Sequence, residues 1–307
     1  MITNLSPSSE AFMADMNRLQ RTVEGASREA SSGLRVNYPS DAPSEVSAIM
    51  QLRTDLVRNS QIATSLGLAK TDADSADGAL ASASQLLDRA VTLGAQGANF
   101  TLDASGRESL ASEVEGLLEQ MVSISRTTVQ GRYIFSGDDV QTPPYQLNLN
   151  AANGVDQLTT APATSRVEDP AGGSFAVSRT ASTIFDARNS DGTIDTSTNV
   201  FNALNSLRTA LLNNDTSGIA TAVGNLKTAN DYLNLQDAFY GSVINRITDA
   251  TNYEQSYDVK LKTQLSQKVD ADVTEAAMTL TRGNIQLQAA FEMQAKLPHT
   301  SLFDFLG

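Results

Sequence analysis

The chain has 307 residues, 22 basic against 35 acidic side chains, and a net charge of −13. That sign repels phosphate backbones and anionic lipid headgroups and argues against nucleic acid and membrane as partners. With no Cys and a single His, His299, the chain lacks a disulfide framework, thiolate chemistry and the residues for a multi-histidine metal site.

Hydrophobic residues make up 40% but aromatics only 6%, and Trp is absent. Such a composition suits long, thinly packed helices better than a thick core, over a length of about two domains. No run approaches the ~18 apolar residues of a membrane span. The start, Met1 to Pro7, has neither a basic region nor an apolar run, so no Sec-type signal is expected. The chain is then cytoplasmic, or it leaves by a route that reads no cleaved signal.

The first element is a helix. Leu5, Ser9, Phe12, Met16, Leu19, Val23, Ala26, Ala30 and Gly33 alternate by four and three, the period of a helix laid along another helix. Ser8 or Ser9 can cap its start and Gly33 its end. Leu34 to Pro43 is a turn, because Pro39 and Pro43 forbid a continuous helix; Asp41 or Ser40 can cap the next helix.

A long helical pattern runs over 44–99. Ile49, Leu52 and Leu56 set one phase, and Ile62, Leu66, Ala69, Ala73, Ala76, Leu80, Ala83, Leu87 and Ala90 continue it after one short step. At 1.5 Å per residue it would span on the order of 80 Å, with a break expected near Asp77 and Gly78. Leu110, Val114, Leu117, Met121, Ile124 and Thr128 predict a further helix ending at Gly131, with a short strand after it at Arg132 to Phe135.

From Asp138 to Asn199 the chain turns rich in Pro, Gly, Thr and Asn. Strands are expected at Tyr145 to Leu149, Ser174 to Ser178 and Thr183 to Asp186, with a hairpin turn at Asp191-Gly192. Helix returns at Val200, with Phe201, Leu204, Leu207 and Leu211 on one face, and ends at Asn213 to Asp215. A second very long pattern starts near Ile219 and runs through Leu265 into the C-terminal stripe of Val273, Ala276, Leu280, Gly283, Leu287, Ala290, Gln294 and Leu297. Beyond Pro298, Leu302, Phe303, Phe305 and Leu306 form an apolar tail that calls for a partner.

The fold class read from this order is mainly α with a β-rich insertion: a long antiparallel helical rod with coiled-coil termini and a small outer β domain. Three domains are expected. Residues 1–40 and 265–307 form a terminal coiled-coil domain, disordered in the monomer because stripes rich in Ala and Gly return little for the entropy of ordering. Residues 41–137 and 200–264 form a helical rod, and 138–199 a variable β-rich part. No catalytic or cofactor-binding set is present. Asp72, Asp74 and Asp77 read as a solvated helix face rather than a metal site, since they lack a Gly-turned loop. The residues that carry function are instead expected at an assembly interface: Leu5, Phe12, Met16, Leu19, Val23 and Ala26 from the first stripe; Val273, Ala276, Leu280, Leu287 and Leu297 from the last; and Leu302, Phe303, Phe305 and Leu306 from the tail.

Three stretches carry a family resemblance. Ser32-Gly33-Leu34-Arg35-Val36-Asn37 with Pro39-Ser40-Asp41-Ala42-Pro43 is similar to the turn after the first helix in bacterial flagellar axial proteins, where a second Asp often stands at the place of Ala42. Gly131-Arg132-Tyr133-Ile134-Phe135-Ser136-Gly137 resembles the motif that closes a helix and opens the β part in their hook-associated junction proteins. Leu265-Ser266, Ala271-Asp272, Leu287 to Ala290 and Ser301 to Leu306 resemble the family's C-terminus. The resemblance implies a non-enzymatic structural protein of the flagellin superfamily, exported unfolded through the flagellar type III apparatus with an export chaperone. It implies self-association in a ring between the first hook-associated protein and the flagellin filament, outside the cell. It implies no cofactor. A flagellin proper shares the architecture, and a cytoplasmic helical scaffold rod shares the helices; neither accounts for the 131–137 motif together with the apolar tail.

Overall fold

A computed structural model describes the backbone of residues 7–296 and the side chains of 10–295. The chain divides into two compact units, Met1–Arg58 with Tyr257–Gly307, and Asn59–Ser256. Helix dominates: α1 (Pro7–Ser32), α2 (Val46–Gly97), α3 (Ala104–Ser125), α4 (Ala181–Phe185), α5 (Val200–Leu212), α6 (Thr216–Val269) and α7 (Val273–Lys296). Strands are short and paired only in twos. They are β1 (Thr128–Val129) with β2 (Arg132–Tyr133), β3 (Tyr145–Leu147) with β4 (Val155–Gln157), and β5 (Arg166–Glu168) with β6 (Ser174–Ala176), all antiparallel. The fold is mainly α with a small β part.

In the first unit α1 stops where the sequence asks it to. Gly33 takes φ +70°, and its N–H donates to the Glu29 carbonyl at 2.9 Å. A left-handed residue at this position closes the last turn without a Cβ penalty. The chain then pairs with the end of α6. Arg35 and Val36 N–H both donate to Val269 O, at 2.8 and 3.2 Å, and Ala271 N–H donates to Gly33 O at 2.9 Å. The Arg35 guanidinium reaches Lys268 O at 2.6 Å, a cation set on the final carbonyls of α6 where the helix dipole favours it. Val36, Ala42, Ile49 and Val269 close a small core over this turn.

This pairing corrects the expectation of one helix running through 219–297. Asp270–Asp272 is a break, because the backbone there is engaged by Gly33 and Leu34, and Asp272 Oδ1 restarts the helix by accepting from Thr274 and Glu275 N–H at 2.9 and 3.1 Å. Asp41 also acts differently from expectation. Its carboxylate accepts from Asn37 and Tyr38 N–H and closes the turn before it, rather than capping α2.

In the second unit the residues of α2 from Asn59 onward bury an Ala-rich stripe: Ala69, Ala73, Ala76, Ala83 and Ala90 with Leu66, Leu80, Leu87 and Leu93. Small residues let helices approach closely. A Cβ added at Gly94 would lie 2.4 Å from Val223 Cγ2, and one at Gly97 equally close to Leu211 Cδ2. Asn230 of α6 accepts from Ser84 Oγ at 2.8 Å and donates to Asp88 at 3.0 Å, so the α2–α6 seam is pinned by polar contacts at its rim. Gly78 has open space around it and α2 runs unbroken through Asp77 and Gly78, contrary to the expected break. One glycine in so long and well-packed a helix costs only about 1 kcal/mol.

Two further boundaries differ from the sequence reading. Helix α3 ends at Ser125, not Gly131, because Thr127, Thr128 and Val129 favour extended backbone and pair with β2 through a tight turn. Gln130 and Gly131 take φ of 51° and 76°, the signature of the hairpin turn that matches strand twist. Thr183 to Asp186 is not a strand. Thr180 accepts from Thr183 N–H and starts the helical turn α4, burying Ile184 and Phe185.

The β-rich segment shares the helices' core. Phe135, Tyr145, Phe185, Phe201 and Tyr240 are all fully buried, with ring centroids 5.1–6.3 Å apart. At its centre sits Asp186, whose side chain is wholly buried. It accepts from Tyr145 Oη at 3.0 Å, Asn153 Nδ2 at 2.9 Å, Asn199 Nδ2 at 2.7 Å and the Arg188 guanidinium at 2.8 Å. Burial first, then the Asp186 charge, pushes the Tyr145 phenol far above its ordinary range, so it remains a donor at any physiological pH. Asn199 also accepts from Asn202 N–H and so caps α5, which makes this one carboxylate the tie between β3, the β3–β4 turn, α4 and α5.

Candidate assembly surface

The predicted interface residues that the structure describes fall on α1 and α7, which pack on each other along their length. They run antiparallel, since the end of α1 pairs with the start of α7 through Gly33 and Ala271. They come close at Gly283, where an added Cβ would fall 2.4 Å from Val23 Cγ2. Glycine is required there for the approach, not for its dihedral freedom.

The predicted interface residues divide into four groups. Met16, Ala26 and Ala276 are buried, and Phe12, Leu19, Val23, Leu280 and Leu287 are half-buried. Val273 is exposed. Leu5, Leu297, Leu302, Phe303, Phe305 and Leu306 lie outside the described residues, as does His299. The alternating stripes thus form mostly the seam between α1 and α7.

A different set faces outward. On α7, Met278, Ile285, Phe291 and Met293 are 49%, 63%, 53% and 69% exposed; on α1, Met13 is 52% exposed. Met278 and Ile285 lie seven residues apart, and Met293 eight further on, spacings that keep them on one side of the helix. They leave α7 with large apolar side chains in solvent on a helix otherwise packed by small residues, a candidate contact surface. Sequence reading missed these positions because they sit between the members of the stronger stripe. The spacing from Met278 to Ile285 is the signal that could have found them.

The flank of this pair is acidic. A groove of about 320 Å³ opens beside the Gly33 turn, lined by Gly25, Ala26, Glu29, Arg35, Asp272 and Glu275 among others. Among the described residues no group of His, Asp and Glu could hold a metal ion. Asp72 pairs with Arg132 at 3.2 Å and Asp74 with Lys70 at 2.8 Å, so these two carboxylates belong to ion pairs. Asp186, Tyr145 and Tyr240, three of the buried titratable groups, are accounted for by packing. Tyr240 is pushed up to about 12 by burial and accepts from Arg179 N–H.

Comparison with known proteins is in accord with this arrangement. The bacterial flagellin N-terminal helical region matches residues 3–139, and the bacterial flagellin C-terminal helical region matches 223–306. The two matches bracket the chain and include both α1 and α7. The chain belongs to the bacterial flagellin superfamily. Within that superfamily it is similar to flagellar hook-associated protein 3 of Escherichia coli, 25% identical over 293 residues and 90% of either chain. The fold is shared with a putative flagellar hook-associated protein from Vibrio parahaemolyticus, at a TM-score of 0.64 and 16% identity over 75% of this chain and all of the other. It is also shared with the flagellar junction protein FlgL from Legionella pneumophila, at 0.55 and 14% over 72% of this chain and 98% of the other. A flagellin-superfamily chain of this kind is a structural protein of the flagellum; α1 lies in its N-terminal helical region and α7 in its C-terminal one.

Proposed function

We propose that this chain is the junction protein of its flagellum, a hook-associated protein 3 that joins the hook, through the first hook-associated protein, to the flagellin filament. The observation that carries the reading is a match to hook-associated protein 3 along nine-tenths of both chains, β-rich segment included. A flagellin would be expected to share the helical ends and diverge between them. The chain acts as an adaptor: the α1/α7 pair and the apolar tail contact neighbouring subunits in a ring. Export proceeds through the flagellar type III apparatus, with the tail as a handle for a chaperone or a contact in the finished ring.

The terminal segments, 1–33 and 269–307, fold on assembly. Their described seam is made of Ala, Gly and half-buried side chains with Met16 as its one large buried residue, too little to support a helix pair unless neighbours add burial. A polymerisation assay separates this reading from flagellin: purified protein should form at most short zones on hook ends, and long filaments would identify a filament subunit. Limited proteolysis of dilute protein should remove the C-terminal segment first; its protection would contradict folding on assembly.

A further inference from the structure

We propose that the groove between α5 and α6 docks extended polypeptide main chain, and that its occupant is residues 158–165 of a second copy of this chain, a contact that rests on the ring reading above and supplies one of its interfaces.

The groove, of about 660 Å³, takes Asn202, Asn205, Thr209 and Asn213 from α5 and its C-cap, and Ser217, Thr221 and Asn225 from the start of α6. Its apolar lining is alanine alone. Asp215, the one charged residue among the described residues that line it, already accepts from Gly218 N–H at 3.0 Å. Such a surface offers nothing to an apolar helix or to a phosphate group.

Its polar groups are left over from folding. Asn202 and Asn205 are 8% and 7% exposed. Asn205 Nδ2 donates to Ala152 O at 3.1 Å, and its Oδ1 is buried without a partner. Asn202 is held through its backbone N–H on Asn199, and its side-chain amide makes no hydrogen bond among the described residues. An unpaired buried amide is a cost that a ligand's donors and acceptors remove.

Spacing selects the ligand. A step of four residues along a helix rises about 6 Å, as from Asn205 to Thr209 to Asn213 and from Ser217 to Thr221 to Asn225. An extended chain presents an N–H and a C=O on one edge at every second residue, about 6.6 Å apart. Each Asn amide supplies a donor and an acceptor together. The row from Asn202 to Asn213 spans about 16 Å, the length of about five extended residues. Main-chain pairing of this kind gives affinity with little regard to side chains.

The occupant follows from charge and conformation. Residues 158–165, Leu-Thr-Thr-Ala-Pro-Ala-Thr-Ser, are the longest run among the described residues with neither helix, strand nor turn. Leu158, Thr160, Pro162 and Thr164 are exposed and Thr159, Ala161 and Ala163 half-buried, the alternation of extended backbone. The N–H and C=O of Thr160 are unpaired among the described residues. The run carries no charge. Copies of a chain with a net charge of −13 repel each other, so contact is best made where both sides are neutral. Groove and segment are different patches of the second unit, which makes the contact head-to-tail, the kind that closes into rings, and independent of whether the terminal segments have folded.

The test titrates a synthetic peptide of residues 158–165 into dilute, isotope-labelled full chain and follows side-chain amide resonances by NMR. Those of Asn202, Asn205, Asn213 and Asn225 should shift together and saturate. Asn202→Ala and, on the half-buried rim, Asn225→Ala should each weaken binding about fivefold without lowering the denaturation midpoint. A peptide carrying Thr160→Val should bind at least as tightly as the parent, and one carrying Thr160→Pro, which lacks a main-chain donor, about fivefold more weakly. No saturable shift at millimolar peptide, or undiminished binding by both alanine variants, overturns the proposal. So does tighter binding of maltoheptaose than of the peptide, which would assign the groove to a glycan. Full chain that fails to bind isolated hooks overturns the junction reading itself, whichever way the peptide behaves.

Discussion

Gly283→Ala is the most informative perturbation of the assembly surface. Two effects oppose each other. Alanine is about 1 kcal/mol better than glycine inside a helix. Against this, the new Cβ would sit 2.4 Å from Val23 Cγ2, a separation that real Cβ atoms do not show. Valine is stiff in a helix, holding one χ1 rotamer, so relief must come from a strained rotamer or from spreading α1 and α7. Overpacking of this sort costs about 1–3 kcal/mol, so the clash wins by roughly 1 kcal/mol. On the proposal that the pair folds on assembly, the loss should appear as about fivefold weaker binding to isolated hooks. In a Val23→Ala background the obstructing methyl is gone and only the propensity term survives. There G283A should bind about fivefold more tightly than V23A alone. The reversal of sign is the diagnostic. If Gly283→Ala strengthens binding in both backgrounds, the close approach of α1 and α7 at this point is wrong.

Two other substitutions probe the second unit. Asp186→Ala strands the buried donors of Tyr145, Asn153 and Asn199; at about 1–3 kcal/mol for each orphan, less relaxation, it should cost about 4 kcal/mol in denaturant titrations followed by circular dichroism, whereas Asp186→Asn, which keeps an acceptor, should cost less than half as much. Asp237 is held above its ordinary 3.8 by burial first, then by the Asp77 charge and its hydrogen bond, and its Oδ1 is buried without a partner. The folded state therefore binds this proton more tightly than the unfolded chain. Its contribution is favourable below about pH 3.8 and is lost as pH rises through the folded value. Asp237→Asn should raise the melting temperature at pH 7 and give no advantage at pH 3; a loss at pH 7 would refute the assignment.

Much of the helical plan was legible in residues whose roles are local. Gly33 ended α1 because only a left-handed residue closes that turn, and Asn213 to Asp215 ended α5 because Asn214 takes a left-handed φ of 56° and Asp215 caps the helix that follows. What escaped the sequence depended on partners far along the chain. Asp270 looked like one more helical position, and only its pairing with Leu34 made it a break. Thr183 to Asp186 had strand composition, but Thr180 supplied a cap and Asp186 had to turn inward to meet Tyr145. Gly131 resembled a helix stop, whereas the β-branched residues before it had already ended the helix. The assembly surface split in the same way. Periodicity found the strongest stripe, from Phe12 to Ala26 and Ala276 to Leu287, but a stripe does not say whether its partner is the same chain or another. The outward positions, Met278, Ile285 and Met293, were hidden beside it.

The central claim is that this chain joins hook to filament, and deletion of its gene tests it most directly. Cells without the protein should retain hooks of normal length, lack filaments and shed flagellin monomer into the medium, with filaments restored by the chain supplied in trans. Deletion cells that still carry attached filaments, or that lose their hooks, would contradict it.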